Sequence, residues 1–176
     1  MIVQIGDPVL REIAKPVAKK DIGSPKLRAL IKKMRRALHA EENGVAIAAP
    51  QVGEALRLFV VAGKVFLPED APKDTPPPED RVFINPEIIR RSRAKREMSE
   101  GCLSVRGSYG TVLRHEKASI KAQDEDGKPV VYHGSGLLGH IFQHETDHLE
   151  GILYVDKAVR LEDDSLRDEL REKHPA

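Results

Sequence analysis

Two histidines and a glutamate near residue 145 have the spacing of a metal site. His144 and His148 are four residues apart, and Glu145 directly follows the first of them. If the segment is helical, both imidazoles lie on one face of the helix, with β-carbons about 5–6 Å apart. Such a pair can bind one divalent metal ion, and the glutamate is placed to act as a base beside it. The pair supplies only two ligands, so a third must come from another part of the chain.

The residues around this pair predict a largely buried helix from about residue 135 to 151. HExxH matches also occur on ordinary surface helices, where the histidines simply face solvent. Apolar side chains on both sides of the pair oppose that interpretation, because buried imidazoles need polar partners and a metal ion satisfies two at once. These side chains are Leu137, Leu138, Ile141, Phe142, Leu149 and Ile152.

The third ligand is best supplied by Cys102, the only cysteine of the chain. A metallopeptidase of the extended HExxH type would place a third histidine six residues after the second, where Tyr154 stands, and no methionine follows His148. A thiolate with two neutral imidazoles instead forms a three-ligand site that leaves one position for water. A lone cysteine is more often a small core residue, so this assignment depends on the histidine pair. Weaker candidates for the third ligand are the remaining histidines, His39, His115, His133, His140 and His174.

The composition predicts one globular domain in a reducing compartment. With 176 residues, of which 40% are hydrophobic and 32% charged, the chain is long enough for one core, and we expect a single domain over residues 1–176. The net charge of +1 gives no reason to expect binding to nucleic acid or to an anionic membrane. No apolar run approaches the ~20 residues that span a bilayer, and no secretory signal is recognisable. A single cysteine suits a reducing compartment, so we expect a cytoplasmic protein.

The rest of the sequence must build a frame around the histidine helix, and its patterns predict an α+β fold. Ser24 caps a helix over about 25–42, whose apolar residues recur at helical spacing. Strand patterns follow, interrupted by a surface loop over 66–81 that is rich in proline and acidic residues. We expect strands or hairpins over 56–63, 82–89, 117–134 and 152–159, and a further helix from about 162. The predicted class is α+β, with antiparallel sheets around a central metal-binding helix and with an N-terminal and a C-terminal helix.

Five arginines and lysines lie within residues 90–96. A solvent-facing strand or turn is the preferred interpretation of such a short run, and a contact with the ribosome or with nucleic acid is the alternative. We therefore predict no specific nucleic-acid partner from this segment.

Three segments, in this order along the chain, resemble the motifs of peptide deformylases: GVAIAAPQVG, EGCLS and QHETDHLEG. The segments GDPVLREIAKPV and INPEI also resemble the family, so the likeness covers nearly the whole chain. Peptide deformylases remove the formyl group from the N-terminal methionine of nascent chains, so the resemblance implies N-formylmethionyl peptides as substrates. It also implies that Cys102, His144 and His148 bind one divalent metal ion. By family habit this is Fe(II) in the cell, with Zn, Ni or Co as substitutes.

The resemblance also assigns catalytic roles to residues of the three motifs. Glu145 would shuttle a proton from water to the leaving amine, which agrees with the ordinary role of a positioned carboxylate. Gln51 and the backbone N–H of Leu103 would donate hydrogen bonds to the formyl oxygen as it gains negative charge. A surface glutamine is the alternative for Gln51, but its place after an apolar run favours a position in a pocket.

Two further groups of residues are predicted to bind the substrate. Three residues precede His144 by seven, four and three positions, so they share its helical face and should wall the pocket for the methionine side chain. They are Leu137, His140 and Ile141. Three others should run as an extended edge that pairs with the substrate backbone. They are Val45, Ala46 and Ile47.

The chain departs from the usual family pattern at a few positions. Ala46 stands where a glycine is usual, and His140 replaces an arginine or an apolar residue. Arg106 stands at a frequent proline, and Tyr109 lies near the usual place of an arginine. Ala46 and His140 motivate a second hypothesis, a hydrolase that acts on another N-formyl or N-acyl amine. A third hypothesis is a metal-binding module with little activity, in which Glu145 is only a helix residue.

Overall fold

The chain folds into two antiparallel sheets and three α-helices within residues 1–162, the part that this computed structural model describes. The helices are α1 (Pro25–His39), α2 (Gly136–Leu149) and α3 (Tyr154–Lys157). The strands are β1 (Ala46–Ala48), β2 (Leu58–Val61), β3 (Arg81–Arg91), β4 (Lys95–Cys102), β5 (Val105–His115), β6 (Lys117–Gln123), β7 (Pro129–Ser135) and β8 (Ala158–Leu161). The predicted α+β class is confirmed, and the helix predicted from about residue 162 lies outside the described residues. None of the helices in the described part of the chain has the length and apolarity that a bilayer crossing requires.

The larger sheet has five strands in the order β1-β2-β3-β6-β7, and all its neighbours are antiparallel. It contains the predicted strands over 56–63 and 82–89 and the predicted hairpin β6-β7, whose turn is closed by a hydrogen bond from the Gly127 N–H to the Asp124 carbonyl oxygen. The smaller sheet consists of β4, β5 and β8. A two-residue turn joins β4 to β5, so the chain leaves the smaller sheet at Cys102 and re-enters it directly opposite.

The unbroken apolar sequence of β2 follows from its position between two layers. Alternate residues of a strand point to opposite faces of the sheet. Leu58 and Val60 pack in the cluster that includes the buried face of α1, whereas Phe59 and Val61 pack in the cluster that includes α2. Both faces of the strand are therefore covered by a helix, which leaves no position for a polar side chain.

The first helix begins as predicted and ends slightly earlier. Ser24 Oγ accepts a hydrogen bond from a backbone N–H of the first turn of α1, which is the usual N-cap interaction. The helix ends at His39, three residues before the predicted end. The chain then turns back so closely that a Cβ on Gly44 would lie 2.8 Å from the Leu38 carbonyl oxygen, and only glycine fits there without a shift.

The strand predicted over 152–159 is wrong for residues 152–157. The helix α3 occupies the middle of this segment, and β8 begins only at Ala158. The Leu153 N–H donates to a carboxylate oxygen of Asp156 at 2.8 Å, which favours a helical turn at this point. The apolar residues of the segment therefore face inwards from a turn rather than from a strand.

The sequence pattern of residues 105–115 does not predict β5, because the buried face of this strand is not apolar. Alternate residues are buried as in any half-covered strand, but they include Ser108, Gly110 and Arg114. An alternation of apolar and polar residues is the usual signal of such a strand. Polar residues on the inner face remove that signal.

The helix α2 packs across the larger sheet, as the predicted buried helix required. Ile141, Phe142 and Leu149 join the cluster on this face of the sheet, and the ring centroids of Phe142 and Phe83 are 5.5 Å apart. The histidine pair lies on the side of the helix turned away from Phe142, because Phe142 and His144 are two residues, or just over half a turn, apart. Core packing therefore determines which way the histidines point.

Phe142→Ala should lower the free energy of unfolding by about 3–5 kcal/mol, because it removes a fully buried ring and leaves a cavity between α2 and the sheet. Urea denaturation followed by circular dichroism measures the change. Leu137→Ala is the control on the same helix, since Leu137 is 52% exposed and should change the value by about 0.5 kcal/mol or less. Equal losses in the two variants would contradict this description of the packing.

Candidate metal centre

The three predicted ligands lie together where β4 meets α2. Cys102 is the last residue of β4, and His144 and His148 project from successive turns of α2. One donor atom from each residue lies within 4.8 Å of the other two, and Cys102 Sγ is 3.2 Å from Nε2 of His148. Donor atoms around one tetrahedral metal ion are about 3.5 Å apart, so these three atoms fit a single ion.

The histidines named as weaker candidates do not join this group. His174 lies outside the described residues. The others have polar partners elsewhere: Asp80 for His39, the Ser92 carbonyl oxygen for His115, Ser119 for His133 and Glu100 for His140. Within the described residues, Cys102 is the third donor that the fold brings to the histidine pair.

Gly101 allows an aromatic ring to lie directly against the strand beside Cys102. Gly101 and Tyr109 are opposite each other in the ladder of β4 and β5, and a Cβ on Gly101 would be 2.7 Å from a ring carbon of Tyr109. That separation is well below an ordinary carbon–carbon contact. A side chain at position 101 would therefore displace the ring of Tyr109, which is half-exposed and forms part of the rim of the adjoining cavity.

The carboxylate of Glu100 lies behind the histidines and is the main site residue that the sequence patterns do not reveal. It is buried, and each of its oxygens accepts two hydrogen bonds. Oε2 accepts from Nδ1 of His144 at 2.8 Å and from Nη2 of Arg114 at 3.0 Å. Oε1 accepts from Nε of Arg114 at 2.7 Å and from Nε2 of His140. A carboxylate has about four acceptor positions, so all of them are filled.

These hydrogen bonds keep Glu100 ionised. Burial by itself raises the pKa of Glu100, but the hydrogen bonds from His140, His144 and Arg114 outweigh burial and hold the pKa well below its usual value. Because Nδ1 of His144 donates to this carboxylate, Nε2 of the same ring is the nitrogen available to a metal. Glu100 therefore selects both the orientation and the donor atom of His144.

Arg114 links the Glu100 carboxylate to Asp147, a second residue of α2, because it forms an ion pair with each. Its Nη1 is 2.5 Å from a carboxylate oxygen of Asp147, whose other oxygen is 2.6 Å from Nζ of Lys157. Arg114 and Glu100 are both almost fully buried, so this pair links β5, β4 and α2 away from solvent. The network fixes the position of β4, which carries Cys102, relative to the histidine helix.

Strand alternation is the signal that could have identified Glu100. It stands two residues before Cys102 in β4, and residues two apart lie on the same face of a strand. Arg114 gives no such signal, because it is 14 residues away and reaches Glu100 only after β4 and β5 have paired.

The two histidines of the pair have pKa values shifted in opposite directions. Burial lowers the pKa of His148 well below its usual value, so this ring is neutral, and its Nδ1 has no hydrogen-bond partner among the described residues. For His144 burial also acts to lower the pKa, but the Cys102 sulfur and the Glu100 carboxylate outweigh it and raise the pKa well above its usual value. The sulfur and the carboxylate thus attract positive charge to this point. A metal ion would supply that charge in place of a ring proton.

Glu145, the predicted base, is buried beside the three donors. Only 4% of it is exposed, and its Oε2 has no hydrogen-bond partner in the described part of the chain. Burial raises the pKa of Glu145 to about 7. A carboxylate whose pKa lies near neutrality can both accept and release a proton at working pH. Glu145 lines the same cavity as Cys102 and His144, so a reacting group can approach it.

The two predicted hydrogen-bond donors also reach this cavity. Gln51 Oε1 accepts from the Ala48 N–H at 2.9 Å, which turns Nε2 towards Ser104 Oγ at 3.2 Å and Cys102 Sγ at 3.5 Å. The amide orientation is therefore fixed with its N–H groups on the side of the metal donors. Leu103 lies in the turn that follows Cys102 and lines the cavity as well.

The cavity has a volume of about 480 Å³. Most of the residues predicted to bind the substrate line it: Val45, Ala46, Leu137, His140 and Ile141. Ile47 is the exception, because its side chain is completely buried in the cluster that packs on α1 and does not reach the cavity. Met98, which the sequence patterns did not indicate, adds to the wall beside His140, with its Sδ 3.0 Å from Nδ1 of that ring.

The strand β1 has an open backbone edge beside the cavity. Among the described strands it pairs only with β2. The Val45 carbonyl oxygen accepts from the Ala62 N–H, so the alternation of the ladder directs the backbone of Val45 and Ile47 towards β2 and that of Ala46 away from it. Ala46 therefore presents its N–H and C=O at the open edge, whereas both the backbone and the side chain of Ile47 are directed into the fold.

Several known proteins are similar to this chain in sequence and in fold. Residues 1–164 match the family described as polypeptide deformylase. A peptide deformylase of Carboxydothermus hydrogenoformans is 43% identical over 157 residues, which are 89% of this chain and 91% of that protein. One of Halothermothrix orenii is 43% identical over 161 residues, 91% of this chain and 94% of that protein. A crystal structure of the class I type b peptide deformylase of Acinetobacter baumannii with Met-Ala-Ser bound is similar with a TM-score of 0.78 at 36% identity, covering 89% of this chain and 96% of that one.

A buried carboxylate next to three metal donors and an open cavity is the arrangement of a metal-dependent hydrolase. The matches cover most of this chain and most of each related protein. The chain belongs to the peptide deformylase family and is an enzyme of that family. The resemblance found in the three sequence motifs is thereby confirmed.

Arg114→Ala should lower the free energy of unfolding by about 3–5 kcal/mol, because it leaves the buried Glu100 carboxylate without its guanidinium partner. Arg160→Ala is the control on the same sheet, since Arg160 forms an exposed ion pair with Glu97 and should contribute about 1 kcal/mol or less. Urea titrations of both variants provide the comparison. Losses of the same size would mean that the buried network does not stabilise the fold.

Proposed function

We propose that this chain removes the formyl group from the N-terminal formylmethionine of nascent polypeptides and releases formate. One observation carries the proposal: the sulfur of Cys102 and a ring nitrogen each of His144 and His148 approach one point beside an open cavity, where Glu145 also lies. Membership of the peptide deformylase family supports it. We further propose that residues 1–176 act as one catalytic domain.

Cys102, His144 and His148 would hold the metal ion. One sulfur and two imidazole nitrogens suit Fe(II), Zn, Ni or Co, and we propose Fe(II) as the ion used in the cell. The chemistry that such an ion supplies is a lowered pKa of water, which makes hydroxide available near neutral pH. The opposite pKa shifts of the two histidines agree with this role, because one ring is neutral and the other lies where positive charge is attracted.

The residues of the chain itself perform the proton transfer and stabilise the developing charge. Glu145 accepts the proton of the attacking water at its unpartnered oxygen and delivers it to the amine nitrogen as the carbon–nitrogen bond breaks. Gln51 Nε2 and the Leu103 N–H donate to the formyl oxygen as it gains negative charge. The hydrogen bond from the Ala48 N–H fixes the Gln51 amide in advance, so little reorganisation is needed when the charge forms.

The cavity suits an extended chain end whose first side chain is apolar. Met98, Leu137 and Ile141 provide apolar surface in its wall, as pockets for apolar groups generally do. The free backbone groups of Ala46 would bind the peptide as an added strand. The bound Met-Ala-Ser in the Acinetobacter baumannii structure supports peptide binding to a fold of this kind.

The other hypotheses from the sequence receive no support from the comparisons. These are a hydrolase of another N-formyl or N-acyl amine and a metal-binding module with little activity. Residues 90–96 are largely exposed, as the preferred interpretation of this basic run expects, and a ribosome contact there stays the less favoured alternative. The cytoplasmic location stays a prediction.

Formate release from formyl-Met-Ala-Ser tests the proposal. Protein purified without oxygen and loaded with Fe(II) should release formate, and a chelator should stop the release until metal is restored. Glu145→Gln should lower kcat by about 10²–10⁴-fold, because it removes the proton acceptor, while the metal content stays the same. Glu150→Gln is the matched control at the end of the same helix, since this residue is exposed and should leave activity unchanged.

The same assay distinguishes the other hypotheses. Turnover of other acyl amines without turnover of the formyl peptide would replace the proposed substrate. Tight metal binding without turnover of any acyl amine would leave only a metal-binding module. Full activity of Glu145→Gln would remove Glu145 from the mechanism.

Gln51→Leu should lower kcat/KM for the formyl peptide by about 10²–10³-fold, because one donor to the developing charge is lost while the side-chain volume is nearly kept. The metal content, measured by elemental analysis, should not change. Gln123→Leu, on β6 and outside the cavity, is the control. Wild-type kcat/KM in Gln51→Leu would show that this amide does not act in the reaction.

A further inference from the structure

His140 fills the last acceptor position of the buried Glu100 carboxylate. Arg114 occupies one position on each oxygen, and His144 occupies the second position of Oε2. Nε2 of His140 takes the second position of Oε1. His140 is only 6% exposed, so solvent has little access to replace this contact.

His140 and His144 hold the same carboxylate from successive turns of α2. They are four residues apart, so Glu100 is bound across one helical turn. Glu100 is also two residues before Cys102 and on the same face of β4. The two hydrogen bonds therefore set the position of β4 along α2, and with it the position of Cys102 relative to the histidine pair.

We propose that His140 is a positioning residue for the metal centre, which acts through Glu100 on the ring of His144 and on the placement of Cys102. The inference rests on the proposed function, because it takes Cys102 and His144 as metal ligands. His140 does not act as a ligand itself, since one ring nitrogen contacts Glu100 and the other contacts Met98.

Arg114 cannot replace His140 as the second donor to Oε1. Its Nε and Nη2 already donate to Glu100, and its Nη1 is bound to Asp147. Without His140, Oε1 keeps one hydrogen bond, and a buried acceptor position is left empty at a cost in free energy. The carboxylate can then rotate to share its remaining donors, and His144 loses a fixed partner. Outer hydrogen bonds to metal-binding histidines typically change metal affinity by about 10–100-fold.

Three substitutions of His140 separate its donor role from its volume. In His140→Gln the side-chain nitrogen lies near the former position of Nε2, so a donor to Glu100 is kept. In His140→Asn the nitrogen lies near the former Nδ1, on the side of Met98, so the donor to Glu100 is lost. His140→Leu removes both nitrogens. Gln and Asn have the same amide chemistry, so their comparison isolates the hydrogen bond to Glu100.

Anaerobic titration with Co(II) in competition with a chelator measures the affinity, and the visible spectrum of the bound Co(II) reports the coordination geometry. The Asn and Leu variants should bind Co(II) about tenfold more weakly, with shifted absorption bands, because the outer hydrogen bond is lost. The Gln variant should stay close to the unchanged protein in both measurements. Leu137→Ala is the control, since Leu137 lines the same cavity but has no side-chain donor for Glu100, and it should leave Co(II) affinity and spectrum unchanged.

The result that would overturn the proposed function differs from the result that would overturn this inference. If the unchanged protein binds no Co(II), or if Cys102→Ala binds it equally well, the ligand assignment fails. If the unchanged protein binds through Cys102 but His140→Leu and His140→Asn keep the same affinity and spectrum, the role of His140 fails. Equal weakening in His140→Gln and His140→Asn would also overturn it, because only the former keeps the donor. Circular dichroism identifies a variant that does not fold, and the Gln and Asn pair then decides the question.

Discussion

An ionised carboxylate is tolerated inside a protein only when hydrogen-bond donors fill its acceptor positions. Removing an unpaired charge of this kind from water costs roughly several kcal/mol. Glu100 receives these donors from two sides, from Arg114 on β5 and from two histidines on α2. One buried charge therefore fixes three elements relative to one another. The metal donors belong to two of these same elements, so their spacing depends on this charge being satisfied.

Two glutamates near the same histidine have opposite environments and opposite pKa shifts. Glu100 accepts hydrogen bonds at every position, and its pKa is held low, so it remains ionised and orients His144. Glu145 is equally buried but has one oxygen without a donor among the described residues, and its pKa is raised to about 7. Environment rather than residue type thus separates the carboxylate that anchors β4 to α2 from the one that we propose as the proton acceptor.

Sequence patterns predicted the features that depend on local chemistry and missed those that depend on strand pairing. The capped helix α1, the apolar strand β2 and the histidine helix α2 each carry their own signal of capping or hydrophobic spacing. β5 carries no such signal, because Arg114 faces inwards where an apolar residue is expected. Glu100 and Arg114 become partners only when β4 and β5 pair. The sequence also did not reveal that Ile47 turns inwards, because the phase of a three-residue strand cannot be deduced from its composition.

The shortness of β1 limits how long any extended segment can remain beside it. In this three-residue strand, the alternation directs Ala46 and Ala48 away from β2. The Ala48 N–H already donates to Gln51 Oε1, so only Ala46 offers both backbone groups to an added segment. Net hydrogen-bond energies of about 0.5–1.5 kcal/mol each are too small for one residue to retain a passing polypeptide. In the proposed function, residence therefore depends on a chain terminus that also inserts its first side chain into the cavity. The same brevity protects the molecule from edge-to-edge association with its own copies, to which a long exposed strand would be prone.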